Sequence, residues 1–103
     1  MVRYRRRFEI IADVLSSAAN GANKKTRIMY TANLSHALLE KYLDETLNLG
    51  LLRLGEDGYE VTEKGQTFLK KYEHFSSRFS KLQKEMQAVA SELRELESMC
   101  PKQ

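Results

Sequence analysis

Few side chains in this sequence are able to carry chemistry, and most of those are cationic. Two histidines, His36 and His74, and one cysteine, Cys100, occur in 103 residues. A single thiol excludes an internal disulfide and any thiolate zinc cluster. A tuned nucleophile needs a basic neighbourhood and a partner histidine. Neither lies near Cys100 in sequence, so it reads as a small apolar residue at the end of a helix. No glycine-rich phosphate loop, metal-ligand cluster or nucleophile constellation appears. The expectation is a protein that is not an enzyme, with no cofactor, no metal and no small-molecule ligand.

The cations are unevenly placed. Net charge is +3, yet residues 1–27 set Arg3, Arg5, Arg6, Arg7, Lys24, Lys25 and Arg27 against only Glu9 and Asp13, a net of +5. Residues 28–103 hold ten basic and twelve acidic residues, a net of −2. A basic start on a neutral-to-acidic remainder points to polyanions, chiefly nucleic acid. An arginine run can also serve as a solubilising tail, and charge alone does not separate the two.

These cations need elements to hold them. Phe8, Ile11, Ala12, Leu15 and Ala18 mark one face of a first helix from Arg7 to Ala19, stopped by Asn20-Gly21. A short second helix runs from Lys24 to about Tyr30, with Ile28 and Met29 inward. Ala32-Asn33-Leu34 forms a tight connection, with Asn33 suited to the left-handed region. Ser35 then caps a third helix to about Asn48, which buries Leu39, Leu43 and Leu47 and ends at Gly50. Two helices across a short turn, the second well capped, have the form of a helix-turn-helix. After Gly50 the period shortens. Leu51–Leu54 and Tyr59–Val61 read as two strands around Gly55-Glu56-Asp57-Gly58, a wing hairpin.

The last third carries the most regular pattern. Phe68, Tyr72, Phe75, Phe79, Leu82, Met86, Val89, Leu93, Leu96 and Cys100 are spaced by alternating steps of four and three without a break. That is a heptad seam longer than four heptads, on a helix capped by Thr62 and followed by Pro101. A seam of this length needs a second helix, most simply a second copy of the chain. Its flanking charges choose the orientation. A parallel pair would set Glu92 against Glu97 with no attractive contact, whereas an antiparallel pair sets Lys71 against Glu92 and Arg78 against Glu85 in one register. That register also puts the rings of Phe79, Phe75, Tyr72 and Phe68 opposite Leu82, Met86, Val89 and Leu93. Exposed pairs contribute only tenths of a kcal/mol, but they decide between orientations burying similar area.

Together these elements predict a mainly α chain with a small β-hairpin, an α+β fold. A winged helix-turn-helix with a basic N-terminal arm occupies 1–66, and an antiparallel coiled-coil homodimerisation helix occupies 67–103. No apolar run approaches 18 residues and no cleavable leader opens the chain. The expected location is cytoplasmic and nucleoid-associated, with no membrane partner.

The sequence also resembles a family. The run Asn20-Gly21-Ala22-Asn23-Lys24-Lys25-Thr26-Arg27-Ile28-Met29-Tyr30 is followed by Asn33-Leu34-Ser35, Lys41-Tyr42-Leu43, Gly50-Leu51-Leu52 and Thr62-Glu63-Lys64-Gly65. In these the chain resembles the small archaeal winged-helix DNA-binding proteins of the 10a type, over essentially its whole length. Where that pattern has an aromatic residue after Asn-Leu-Ser, this chain has His36. The resemblance implies a winged helix continuing into an antiparallel coiled coil. It also implies double-stranded DNA as partner, for a transcriptional regulator or a chromatin protein.

The expected binding mode follows from the helix-turn-helix. The helix at 35–48 enters the major groove, presenting Ser35, His36, Ala37, Glu40, Lys41 and Asp44. Ser35 suits a phosphate, while His36 and Lys41 reach bases or backbone. Lys24, Lys25 and Arg27 grip the groove edge, and the arginines from Arg3 to Arg7 lie in a minor groove or along phosphates. The wing tip Glu56-Asp57 is repelled by backbone, and Tyr59 serves packing. Five to seven phosphate contacts make affinity fall steeply between about 50 and 200 mM salt. An antiparallel coil centred near Lys81 would hold two readers on the order of 45 Å apart, beyond the roughly 34 Å of one DNA turn. The expected target is therefore a widely spaced site or two bridged segments. A competing reading is a protein assembly module, since the acidic residues of the third helix and wing fit DNA imperfectly. Single-stranded RNA fits poorly, because no basic strand carries paired aromatics.

Overall fold

The computed structural model describes residues 2–102, with side chains from Arg6 onward. Helices α1 (Val2–Ala19), α2 (Lys25–Thr31) and α3 (His36–Asn48) precede strands β1 (Leu52–Gly55) and β2 (Gly58–Val61) and the 37-residue helix α4 (Glu63–Met99). The strands form one antiparallel hairpin in which Leu52 faces Val61, Arg53 faces Glu60 and Gly55 faces Gly58. This is the expected α+β winged-helix order, with a long helix after the wing.

Each of the first three helices ends in the same way, which explains the short connections. After α1, Ala22 N–H donates to Ser17 C=O at 2.9 Å and Gly21 N–H to Ala18 C=O at 3.3 Å. After α2, Leu34 and Asn33 donate to Met29 and Tyr30, and after α3, Leu51 and Gly50 donate to Thr46 and Leu47. These paired bonds make three Schellman caps, each needing a left-handed residue at its corner. Gly21 (φ 104°), Asn33 (φ 56°) and Gly50 (φ 75°) supply it. The residue after each corner turns inward, so Ala22 and Leu51 are buried and Leu34 packs against the core.

The boundaries differ from the sequence reading most at α1, while α2 and both strands shift by a single residue. The arginines from Arg3 to Arg7 lie within α1, which begins at Val2 and not at Arg7. Arginine is a good helix former, so a capless helix start extends back through it. The first strand begins at Leu52 because Leu51 N–H is taken by the α3 cap.

The core of the winged region is formed by Ile11, Val14, Leu15, Ile28, Leu39 and Leu43, with Tyr42 and Leu52 beside them. Buried Thr46 and Ser17 satisfy their hydroxyls on carbonyls one turn back, Thr46 at 2.8 Å from Tyr42 C=O and Ser17 at 2.8 Å from Asp13 C=O. Tyr59 and Phe68 pack against this cluster, and Phe68 meets Phe8 edge-on with ring centroids 6.2 Å apart.

Thr62-Glu63-Lys64-Gly65 ties the start of α4 to the end of α3. Thr62 Oγ1 accepts from Gly65 N–H at 3.1 Å, capping α4, and donates to Gly50 C=O at 2.6 Å. Thr62 N–H reaches Leu51 C=O at 3.1 Å, and Lys64 Nζ reaches Leu49 C=O at 2.7 Å. Carbonyls left over at the C-terminus of α3 are thus satisfied by the next element. Gly65 is required by contact: a Cβ there would collide with the Leu51 carbonyl oxygen and crowd Val61.

The chain divides into two units, residues 1–72 and 73–103. In the second unit the seam residues Leu82, Met86, Val89, Leu93 and Leu96 are 55–71% exposed. Phe75 and Phe79 stack obliquely with centroids 5.8 Å apart. Among the described residues no helix is long and apolar enough to cross a membrane.

Candidate nucleic-acid interface

Helix α3 carries the candidate reading face. Its start is fixed by Ser35, whose Oγ accepts from Leu38 N–H at 3.2 Å and keeps its O–H as a donor. Ser35, His36, Ala37, Lys41 and Asp44 are exposed and Glu40 is half-buried; Ala37, Lys41 and Asp44 lie on the side opposite Leu39, Leu43 and Thr46, and Ser35 and His36 stand at the open start of the helix. Helical period sorts Ala37, Lys41 and Asp44 away from the core, which takes every third or fourth residue, while Ser35 and His36 are exposed because they precede its first buried position.

Cations flank this face on both sides. On the α2 side Lys25 is placed beside the face by its contact with Glu40, and Lys24 and Arg27, its neighbours in sequence, are exposed. On the α1 side a groove of about 380 Å³ is lined by Arg6, Arg7, Ile10, Leu38, Lys41 and Tyr42. Lys41 Nζ lies 5.4 Å from the centroid of the Tyr42 ring. Arg3 and Arg5 were also expected in the interface; their side chains lie outside the described residues.

Two carboxylates on α3 divide these cations into paired and unpaired. Lys25 Nζ lies 2.7 Å from Glu40, and His36 Nε2 lies 3.5 Å from the same carboxylate oxygen. The Lys25 bond raises the lysine's pKa and lowers that of Glu40. On the other side Arg7 Nε donates to Glu45 Oε2 at 2.8 Å, and a second guanidinium nitrogen joins the same oxygen. Arg7 thereby links α1 to α3. Lys24, Arg27 and Lys41 form no ion pair among the described residues.

Sequence reasoning missed both carboxylate partners. Glu40 lies 15 positions from Lys25 and Glu45 lies 38 from Arg7, separations that no helical period reveals. The His36–Glu40 spacing of four was the one local signal.

The wing is positioned from the α1–α2 connection. Tyr59 N–H donates to Asn23 C=O at 2.8 Å and Asn23 Nδ2 donates to Asp57 C=O at 2.9 Å. Gly58 (φ 128°) sits where a Cβ would strike the Asn23 carbonyl, so that position needs glycine on two counts. Arg53 and Glu60 pair across the hairpin at 2.8 Å, and the tip residues Glu56 and Asp57 are exposed. Among the described residues no group of three His, Cys, Asp or Glu is arranged to hold a metal.

Comparison with known proteins fits this geometry. Residues 4–80 match the family model described as winged helix-turn-helix. The uncharacterised protein MJ0287 of Methanocaldococcus jannaschii is 38% identical over 65 residues, 62% of this chain and 67% of that protein. The uncharacterised protein MJ0290 of the same organism is 36% identical over 64 residues, 62% of this chain but only 30% of that protein. Among solved structures, Sso10a-2, a DNA-binding protein from Sulfolobus solfataricus, superposes with a TM-score of 0.59 at 27% identity. The match covers 86% of this chain and 93% of that one, which bears out the resemblance to the 10a type. The chain belongs to the winged helix-turn-helix family.

Proposed function

We propose that this protein binds double-stranded DNA with α3 in the major groove, as a dimeric transcriptional regulator or nucleoid-associated protein. The observation that carries the reading is a capped, exposed helix face with cations along both edges. A helix lying in a major groove has a phosphate strand on either side, so cations are needed on both flanks. Lys24, Lys25 and Arg27 serve one strand; Lys41, Arg6 and Arg7 serve the other. Ser35 donates to a phosphate, and His36 reaches bases or backbone from the first turn of the helix. The likeness to Sso10a-2, described as a DNA-binding protein, supports the same reading.

Affinity is driven by phosphates and therefore falls with salt. Because Lys25 and Arg7 already hold carboxylates, they contribute less than Lys24, Arg27 and Lys41 to counterion release. Residues 1–66 act as the reader and 67–103 as the dimerisation helix. The exposed seam at Leu82, Met86, Val89, Leu93 and Leu96 supports pairing with a second copy, antiparallel by its charges. Phe68 serves the reader's core as well as the seam, and Tyr72, Phe75 and Phe79 continue that seam.

The test is fluorescence anisotropy with a mixed-sequence duplex of about 30 base pairs, titrated from low to physiological salt. Binding with a steep negative salt slope is expected. Absence of binding at low salt would refute the reading and favour the assembly module, for which the carboxylates Glu40, Asp44, Glu56 and Asp57 on the same face and wing would be the recognition groups.

A further inference from the structure

We propose that Glu40 is a specificity-determining residue that selects cytosine, released for that task when a DNA phosphate takes Lys25 from it. This rests on the duplex-DNA reading above and names what the same face would recognise.

In the free protein the Glu40 carboxylate bridges two elements. It holds Lys25 of α2 at 2.7 Å and stands 3.5 Å from His36 one turn back on α3. A phosphate oxygen offers Lys25 the same charge-assisted bond, and the lysine stands at the edge of the reading face where a backbone would pass. The exchange leaves Glu40 without its cation on the α2 side of that face. Ala37, Glu40 and Asp44 follow at steps of three and four, so they form one row along the helix. Ala37, small and exposed, leaves room beside the carboxylate for a base edge.

An ionised carboxylate only accepts hydrogen bonds. In the major groove guanine presents N7 and O6 and thymine presents O4, all acceptors, while adenine sets an acceptor beside its amine. Cytosine alone presents an amine with no neighbouring acceptor of its own. Glu40 therefore matches cytosine and repels the others. It also repels any phosphate that comes near without engaging Lys25, which lowers non-specific affinity. Lys41 does not fill this role, because it faces the α1 groove with Arg6 and Arg7.

The experiment selects bound sequences from a randomised duplex library and measures mixed-sequence duplex affinity for wild type, Glu40→Ala, Glu40→Gln and Lys25→Ala. Wild type is expected to enrich cytosine at one position on the order of tenfold. Glu40→Ala should lose that enrichment yet bind mixed-sequence duplex more tightly, and Glu40→Gln should move the preference to adenine, the base a carboxamide pairs with. Lys25→Ala should weaken binding to every sequence and keep the cytosine preference. An unchanged base profile in Glu40→Ala, a wild-type profile with no base preference, or weaker mixed-sequence binding by Glu40→Ala would each overturn the proposal while leaving DNA binding in place. Failure of the wild type to bind duplex at low salt would refute the functional reading and this inference together.

Discussion

Replacing Gly65 with alanine should destabilise the winged unit although it improves the helix. In an unconstrained helix the change would stabilise by about 1 kcal/mol. Here the added methyl would meet the Leu51 carbonyl oxygen and the Val61 Cγ1. Relief requires the first turn of α4 to withdraw from the end of α3. Overpacking of that kind costs about 1–3 kcal/mol. Withdrawal also stretches the Thr62 N–H to Leu51 C=O bond, 3.1 Å long, and leaving a buried carbonyl unpaired costs a further ~1–3 kcal/mol. The net expectation is a loss of about 2–3 kcal/mol, or roughly 10–20 °C in Tm for a unit of this size. Thermal unfolding followed by tyrosine fluorescence reads it directly, since Tyr42 and Tyr59 both belong to or pack on the core. Ser80→Ala, at an exposed position of the same helix, is the control and should raise Tm slightly. A Gly65→Ala protein as stable as wild type, or more so, would show that α4 is not held on Leu51 and would remove the physical reason for Thr-Glu-Lys-Gly.

Other perturbations test the charge and seam assignments. Replacing Lys24 and Arg27 together with alanine should lower the magnitude of the log–log salt slope by about 2, measured by anisotropy, whereas Lys25→Ala alone should lower it by less than 1 because Glu40 already holds that lysine. Leu82→Lys should abolish the proposed dimer in sedimentation velocity, and a variant that still sediments as a dimer would exclude the seam as its interface. Asp13 has its carboxyl pKa raised by burial and then by Glu9, so the folded state resists its ionisation. A raised acid pKa means stability is lost as pH climbs through the unfolded value toward the folded one. Asp13→Asn should therefore stabilise by a few tenths of a kcal/mol at pH 7 in urea denaturation and by nothing near pH 3, where both states are protonated.

The periodic part of this protein was legible in its sequence. The stripe Phe8, Ile11, Leu15 and the row Leu39, Leu43 obey the helical period, and a buried face can be recognised from that period alone. Local chemistry was equally readable, because a cap or a corner depends on neighbours in the chain. Ser35 caps α3, Asn33 adopts the left-handed region and Gly50 ends a helix as their types require. The heptad steps from Phe68 to Cys100 announced a long helix, and α4 runs from Glu63 to Met99.

Tertiary structure alone decided which cations remain available. Glu40 and Glu45 reach Lys25 and Arg7 only because α1 and α2 pack against α3, and an exposed charge has no sequence signature of its partner. The same holds for Thr-Glu-Lys-Gly, which reads in sequence as the start of a helix. Folded, it also closes the end of the previous one, through Thr62 on Gly50, Lys64 on Leu49 and the bare Cα of Gly65 against Leu51. Patterns in a chain fix what each residue does for its own element. Contacts between elements are set by packing, and packing depends on distances that sequence spacing does not encode.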